Sequence, residues 1–201
     1  KFRQLRTGGR LIIRDVIGPE AKEGEVYLWC NTEDGENHPF IEVVKDPETL
    51  PTYLASLSTA TKFRHFAEDF LHDMRTAGKR KAETRIQYKE KLRNGKTYFV
   101  TRLQDVVEFM TKKDYLENWQ SELNEEFAFW SFSDWKKVLQ EEGFTILEDV
   151  NYPQQGSRVY TNPWIVENRW KGKVELYQKG SKGLTAMEYP VTTMVLMAEK
   201  G

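Results

Sequence analysis

A chain of 201 residues, 39% hydrophobic and 13% aromatic, carries enough apolar material for a packed core, which excludes disorder as the default. Thirty Lys and Arg against 31 Asp and Glu give a net charge of −1, so no global field points to nucleic acid or an anionic membrane. Cys30 is the only cysteine and no apolar run is long enough for a membrane helix, so an intramolecular disulfide is excluded and a reducing, cytoplasmic setting fits.

Taken in chain order, Thr7-Gly8-Gly9 reads as a turn, because paired glycines reach positive φ at little cost. Leu11-Ile12-Ile13 follows as an apolar run of the kind buried on both faces of a parallel sheet, and its partner strands are expected before residue 1. Glu25 to Asn31 alternates as a strand does, with Asp34-Gly35 as the turn after it. Pro47 and Pro51 mark a loop over 46–53. Phe63, Phe66, Ala67, Phe70, Leu71 and Met74 recur at helical spacing, which predicts an amphipathic helix capped near Ser58 or Thr59 and ended by Gly78.

Residues 85–92 and 97–103 read as two strands joined through Asn94-Gly95, the strongest short hairpin signal. Thr111 to Glu126 reads as a helix with Thr111 as N-cap and Tyr115, Trp119 and Leu123 on one face. A second helix, about Ser133 to Glu142, carries Phe132, Trp135, Val138 and Leu139 as its stripe and stops at Gly143. Phe144 to Val150 reads as a strand, 151–163 as a loop, 164–178 as a short helix and then a strand, and Thr192 to Ala198 as a buried final strand. The aromatics Phe127, Phe129, Trp130, Phe132 and Trp135 read as core.

Three segments resemble, in this order, the C-terminal half of class I S-adenosylmethionine-dependent methyltransferases. Thr7-Gly8-Gly9 and the strand to Asp15 are similar to the family's Pro-Gly-Gly turn and strand, with Thr7 where proline is usual. Ser133 to Phe144 is similar to its late helix, and Thr192 to Lys200 to its last strand. The resemblance implies an α/β fold, with the late strands and helix of a Rossmann-like sheet in residues 1–18 and 131–201. Residues 19–130 are then an α+β insertion in the position of a substrate-recognition region. It also implies methyl transfer to a polar acceptor. The family's glycine-rich cofactor loop has no counterpart here, since Gly8-Gly9 precedes a strand. S-adenosylmethionine is therefore expected to be bound by an N-terminal half of the same protein, which becomes this chain's partner. The chain alone is expected to bind no cofactor, and its bare apolar strand favours self-association.

Arg14 and Asp15 end the first strand, where open α/β sheets bind ligands. They read either as site residues, with Asp15 as base or orienting carboxylate, or as a salt-bridged pair. Arg158, Tyr160 and Asn162, in the loop before the last strand, offer directed hydrogen bonds and a flat ring for substrate; Trp164 and Trp170 there read equally as core. Two rival readings stay open. One is a protein- or RNA-binding module; the other is a metal enzyme built on His65, Asp69 and His72, which their spacing places along one helix face. With charge balanced, nucleic acid is the less expected partner, and Lys79-Arg80-Lys81 reads as a solvated loop.

Overall fold

The computed structural model describes residues 5–35, 57–76, 79–84, 86–112, 121–148 and 156–201. In chain order they form β1 (Arg10–Val16), β2 (Glu25–Cys30), α1 (Thr59–Asp69), β3 (Leu71–Thr76), β4 (Lys79–Thr84), β5 (Lys89–Arg93), β6 (Lys96–Arg102), α2 (Leu103–Thr111) and α3 (Phe132–Glu141). There follow β7 (Phe144–Ile146), β8 (Arg158–Tyr160), a π-helical stretch (Trp164–Trp170), β9 (Val174–Gly180), β10 (Gly183–Met187) and β11 (Thr193–Lys200). The fold is mixed α/β, and among the described residues every strand pair is antiparallel. No helix there is long and apolar enough to cross a membrane.

The first sheet is built on β11. β1 pairs along one edge of it, and β7 and β8 share the other. Met194, Leu196 and Ala198 point to one face, where they meet Leu139 of α3, Phe144 and Ile17, with Leu11, Ile13, Phe132 and Trp135 around them. The expectation of a parallel-sheet strand buried on both faces is corrected here. β1 runs antiparallel to β11, its burial alternates, and Ile12 is 64% exposed. An unbroken apolar run cannot tell one covered face from two, and α3 covers only one. Among the described residues β1 has no partner on its outer edge.

The second sheet has the order β10-β9-β2-β6-β5. Its β5–β6 hairpin turns at Asn94 (φ 51°) and Gly95 (φ 75°), the positive pair a type I′ turn requires. α1, α2 and the π-helical stretch contribute to the core on one face, where Phe63 meets Phe66, Tyr88, Phe99 and Phe109 and the Trp170 indole donates to Met110 O (2.8 Å). This sheet crosses the expected boundary at residue 131: β9, from the stretch assigned to the first unit, pairs with β2 of the insertion, and β10 pairs with β9.

Three further expectations are corrected. α1 starts at its Ser58 cap as read, but it ends at Asp69; Leu71 to Thr76 pair as β3 with β4. His72 therefore lies in a strand, and His65, Asp69 and His72 do not share a helix face. Among the described residues no group of three or more metal-binding side chains occurs. Lys79 to Lys81 belong to β4 rather than to a loop. Thr111 ends α2 instead of capping a helix, its hydroxyl donating back to Val107 O (2.8 Å). Gly78, Tyr115, Trp119 and the loop read at 46–53 lie outside the described residues.

Candidate functional site

β1 and β8 both run opposite to β11, so their carboxyl ends lie at the same end of the first sheet. Arg14 and Arg158 are each paired with Val195, from opposite edges of β11, and Tyr160 is paired with Thr193. Strand alternation puts these three side chains on the face away from α3. Asp15 pairs with Met194 and so projects to the other face, and its Oδ1 accepts from Val16 N (2.8 Å). The sheet thus brings Arg14, Arg158 and Tyr160 together and separates Asp15 from them.

Asn162 has local work. Its Oδ1 accepts from Trp164 N (3.0 Å) and its N donates to Thr192 Oγ1 (3.2 Å), which fixes the entry to the π-helical stretch. Thr161 Oγ1 donates to Pro190 O (3.0 Å) beside it. Trp170 is core at 2% exposure, and Trp164 is 60% exposed.

A cavity of about 540 Å³ opens beyond β1, lined by Glu20, Lys22, Ser131, Ser133 and Asp134 among others. Lys22 Nζ donates to Asp134 Oδ2 and to Phe129 O, both at 2.5 Å. Burial works against the Asp134 carboxylate, but the Lys22 ammonium and the Ser131 amide and hydroxyl hold its pKa below the ordinary value. That contribution to stability is present above the ordinary carboxylate range and is lost as pH falls through the lowered pKa. Sequence reading missed Lys22 and Asp134. The Ser-x-x-Asp spacing before an apolar stripe was a usable signal for the second; nothing local marks a lysine so distant in the chain.

Ser131 and Asp134 form a capping box, with Asp134 N donating to Ser131 Oγ (3.2 Å) and Ser131 N to Asp134 Oδ2 (2.9 Å). Ser131→Ala is expected to cost about 1 kcal/mol in urea unfolding and to leave the m-value unchanged.

Burial pushes the Cys30 thiol well up, consistent with an inert core residue rather than a nucleophile. No protein-family model, curated protein or solved structure matches this chain, so a functional reading rests on its own residues.

Proposed function

We propose that this chain supplies the acceptor-side elements of an S-adenosylmethionine-dependent methyltransferase whose cofactor-binding strands extend the first sheet from the free edge of β1. One observation carries the reading: the three segments that resemble the family, far apart in sequence, meet at one end of one sheet. Gly8 N donates to Lys200 O (2.8 Å), Lys200 N to Gly9 O (2.9 Å) and Gly201 N to Gly143 O (3.1 Å), while Phe144 pairs with Lys200. The outer edge of β1, without a partner among the described residues, offers the next strand a place to pair.

The described residues do not fit the cofactor. Gly8 and Gly9 serve the turn before β1, where a Cβ on Gly9 would stand 2.8 Å from Arg6 O, and a Cβ on Gly18 would strike Ala128. Both are packing glycines, not a cradle for a nucleoside. Their own residues limit this chain to the acceptor side. Arg14, Arg158 and Tyr160 orient a polar acceptor on one face, and Asp15 meets it only around the end of β1. Methyl transfer asks chiefly for alignment, because a sulfonium is already a good leaving group.

Calorimetric titration with S-adenosylhomocysteine tests the reading. Residues 1–201 alone are expected to show no binding, and the product of the whole reading frame to bind at one site with a Kd of about 1–100 µM. Low-micromolar binding to residues 1–201, or none to the whole product, overturns it.

A further inference from the structure

We propose that the outer face of the five-stranded sheet binds a single-stranded nucleic acid, with phosphates on its cations and bases on its rings. The hydrophobic cluster on that face, Tyr27, Tyr98 and Val100 with Trp29, Tyr177 and Leu184, is drawn entirely from the sheet's own strands. The register adds Lys89, Lys91 and Arg93 from β5, Lys96 from β6 and Lys179 from β9, against Glu25 and Glu175. With Arg102 opposite Glu25, six cations against two carboxylates, in a chain of net charge −1, make a local positive field that overall composition conceals. Four of them lie between residues 89 and 96 on the β5–β6 hairpin, and pairing sets them beside the rings of β2 and β9.

Three of the cations lie on the rings, and Lys96 Nζ also pairs with Glu175 Oε2 (3.4 Å). Lys96 Nζ is 4.6 Å from the Trp29 centroid, and Lys91 Nζ and Arg93 Cζ are 5.4 and 5.5 Å from that of Tyr27. Lys89, Arg93 and Lys96 are exposed, and Trp29 and Tyr177 are half-buried. An exposed cation–π contact is weak, and a phosphate oxygen attracts an ammonium more strongly than a ring does. Tyr27 and Tyr98 are buried, so drawing the cations onto phosphates leaves Trp29 and Tyr177 for base stacking, the combination by which sheet surfaces hold single strands without sequence preference. A cavity of about 300 Å³ at the Lys89 end, lined by Tyr88, Lys89 and Arg102 and by the carboxylates Glu23 and Glu25, opens beside the basic row. An acidic peptide has no flat π-faces to spend on these rings. An anionic membrane calls for protruding aliphatic side chains, and Leu184 is half-buried.

The test is fluorescence anisotropy of the protein with a labelled oligo-uridine of about 12 nucleotides. Micromolar binding is expected at about 50 mM salt, with log affinity falling against log salt at a slope of about −3, as four phosphate contacts give. Lys91→Gln with Arg93→Gln weakens it roughly tenfold or more. Lys137→Gln with Lys171→Gln, both exposed and off this face, leaves it unchanged. Oligonucleotide quenches tryptophan fluorescence in the wild type, and Trp29→Phe removes most of that quenching. If the β5 pair fails to fold, Lys89→Gln with Lys179→Gln, at exposed positions, reads the same loss. No binding at about 100 µM protein overturns the proposal, since even non-specific association is tighter than that at low salt. Equal competition by polyglutamate or by phosphatidylserine vesicles also overturns it, reassigning the face to an acidic protein or a membrane. The methyl-transfer reading is not needed for this binding, so the oligonucleotide and S-adenosylhomocysteine titrations fail separately.

Discussion

Replacing Lys112 with alanine is expected to destabilise the protein by about 3–5 kcal/mol, because it strands a buried carboxylate. Lys112 and Glu108 are one helical turn apart at the end of α2, and both side chains are fully buried. Their Nζ–Oε2 distance is 3.2 Å. Each charge has further support. Glu108 accepts from the Phe127 and Ala128 amides, and Lys112 donates to Glu125 O between the rings of Phe70 (4.7 Å) and Phe127 (4.1 Å). Burial nevertheless pushes the Glu108 pKa up and the Lys112 pKa down, which records how much desolvation the pair must offset. Removing the ammonium leaves the desolvation of Glu108 in place without its partner. It also removes the hold on Glu125 O, one of the bonds that tie residues 125–128 to α2. Equilibrium urea unfolding followed by far-ultraviolet circular dichroism measures the loss. The double variant Lys112→Met with Glu108→Gln is expected to be the more stable of the two, since no charge is then left buried. A Lys112→Ala cost below about 1 kcal/mol would show that the ammonium is exchanging with solvent rather than buried.

The elements legible in the sequence were those with a strong local signature. Asn94-Gly95 encodes a turn by backbone preference alone, Ser58 announces α1, and Phe132, Trp135 and Leu139 leave a clear stripe on α3. α2 was missed although Leu103, Val106, Val107 and Met110 recur at helical spacing with Gln104, Asp105 and Glu108 between them, because the strand read at 97–103 took its first residue and the helix was placed from Thr111 onward. The Leu71 to Thr76 segment satisfied helical spacing only because Phe66 and Phe70 precede it; pairing with Lys79 to Thr84 decides its state. The site was legible in part. Arg14, Arg158 and Tyr160 were chosen as loop and strand-end residues, and pairing with β11 brings them to one face. Asp15 was chosen on the same grounds, yet strand alternation turns it the other way, which depends on register and not on residue type. The basic face was illegible for a related reason: Lys89, Lys91, Arg93 and Lys96 lie close together in sequence, but that they share a face with the rings of β2 and β9 depends on register.

Gly18→Ala is expected to cost about 3 kcal/mol or more, through steric conflict rather than backbone preference. Gly18 is buried where the chain leaves the first sheet for β2, between Ile17 of one core and Val26 of the other. Its φ lies outside the left-handed region, so alanine is conformationally acceptable there. Space is not available: a Cβ would stand 2.0 Å from Ala128 O and 2.8 Å from Ala128 C. The obstruction is backbone and cannot rotate away. It is also pinned, since Ala128 N donates to Glu108 and Ala128 O accepts from Gln104 Nε2 (3.3 Å), while Gly18 N donates to Trp130 O (2.9 Å). Relief must therefore come from moving residue 18 and its neighbours, which lead into residues 20–24 of the Lys22–Asp134 cavity wall, or residues 127–131, which lead into α3. Thermal unfolding measures the cost, and the m-value reports whether both sheets still unfold together. Combining Gly18→Ala with Lys112→Ala is the sharper measurement, because the second change loosens the segment that the first one strikes. The two costs are expected to sum to less than their separate values by about 1 kcal/mol or more, the signature of residues that share one strained contact. Strict additivity would mean that Ala128 yields to the new methyl group without drawing on its hold on Glu108.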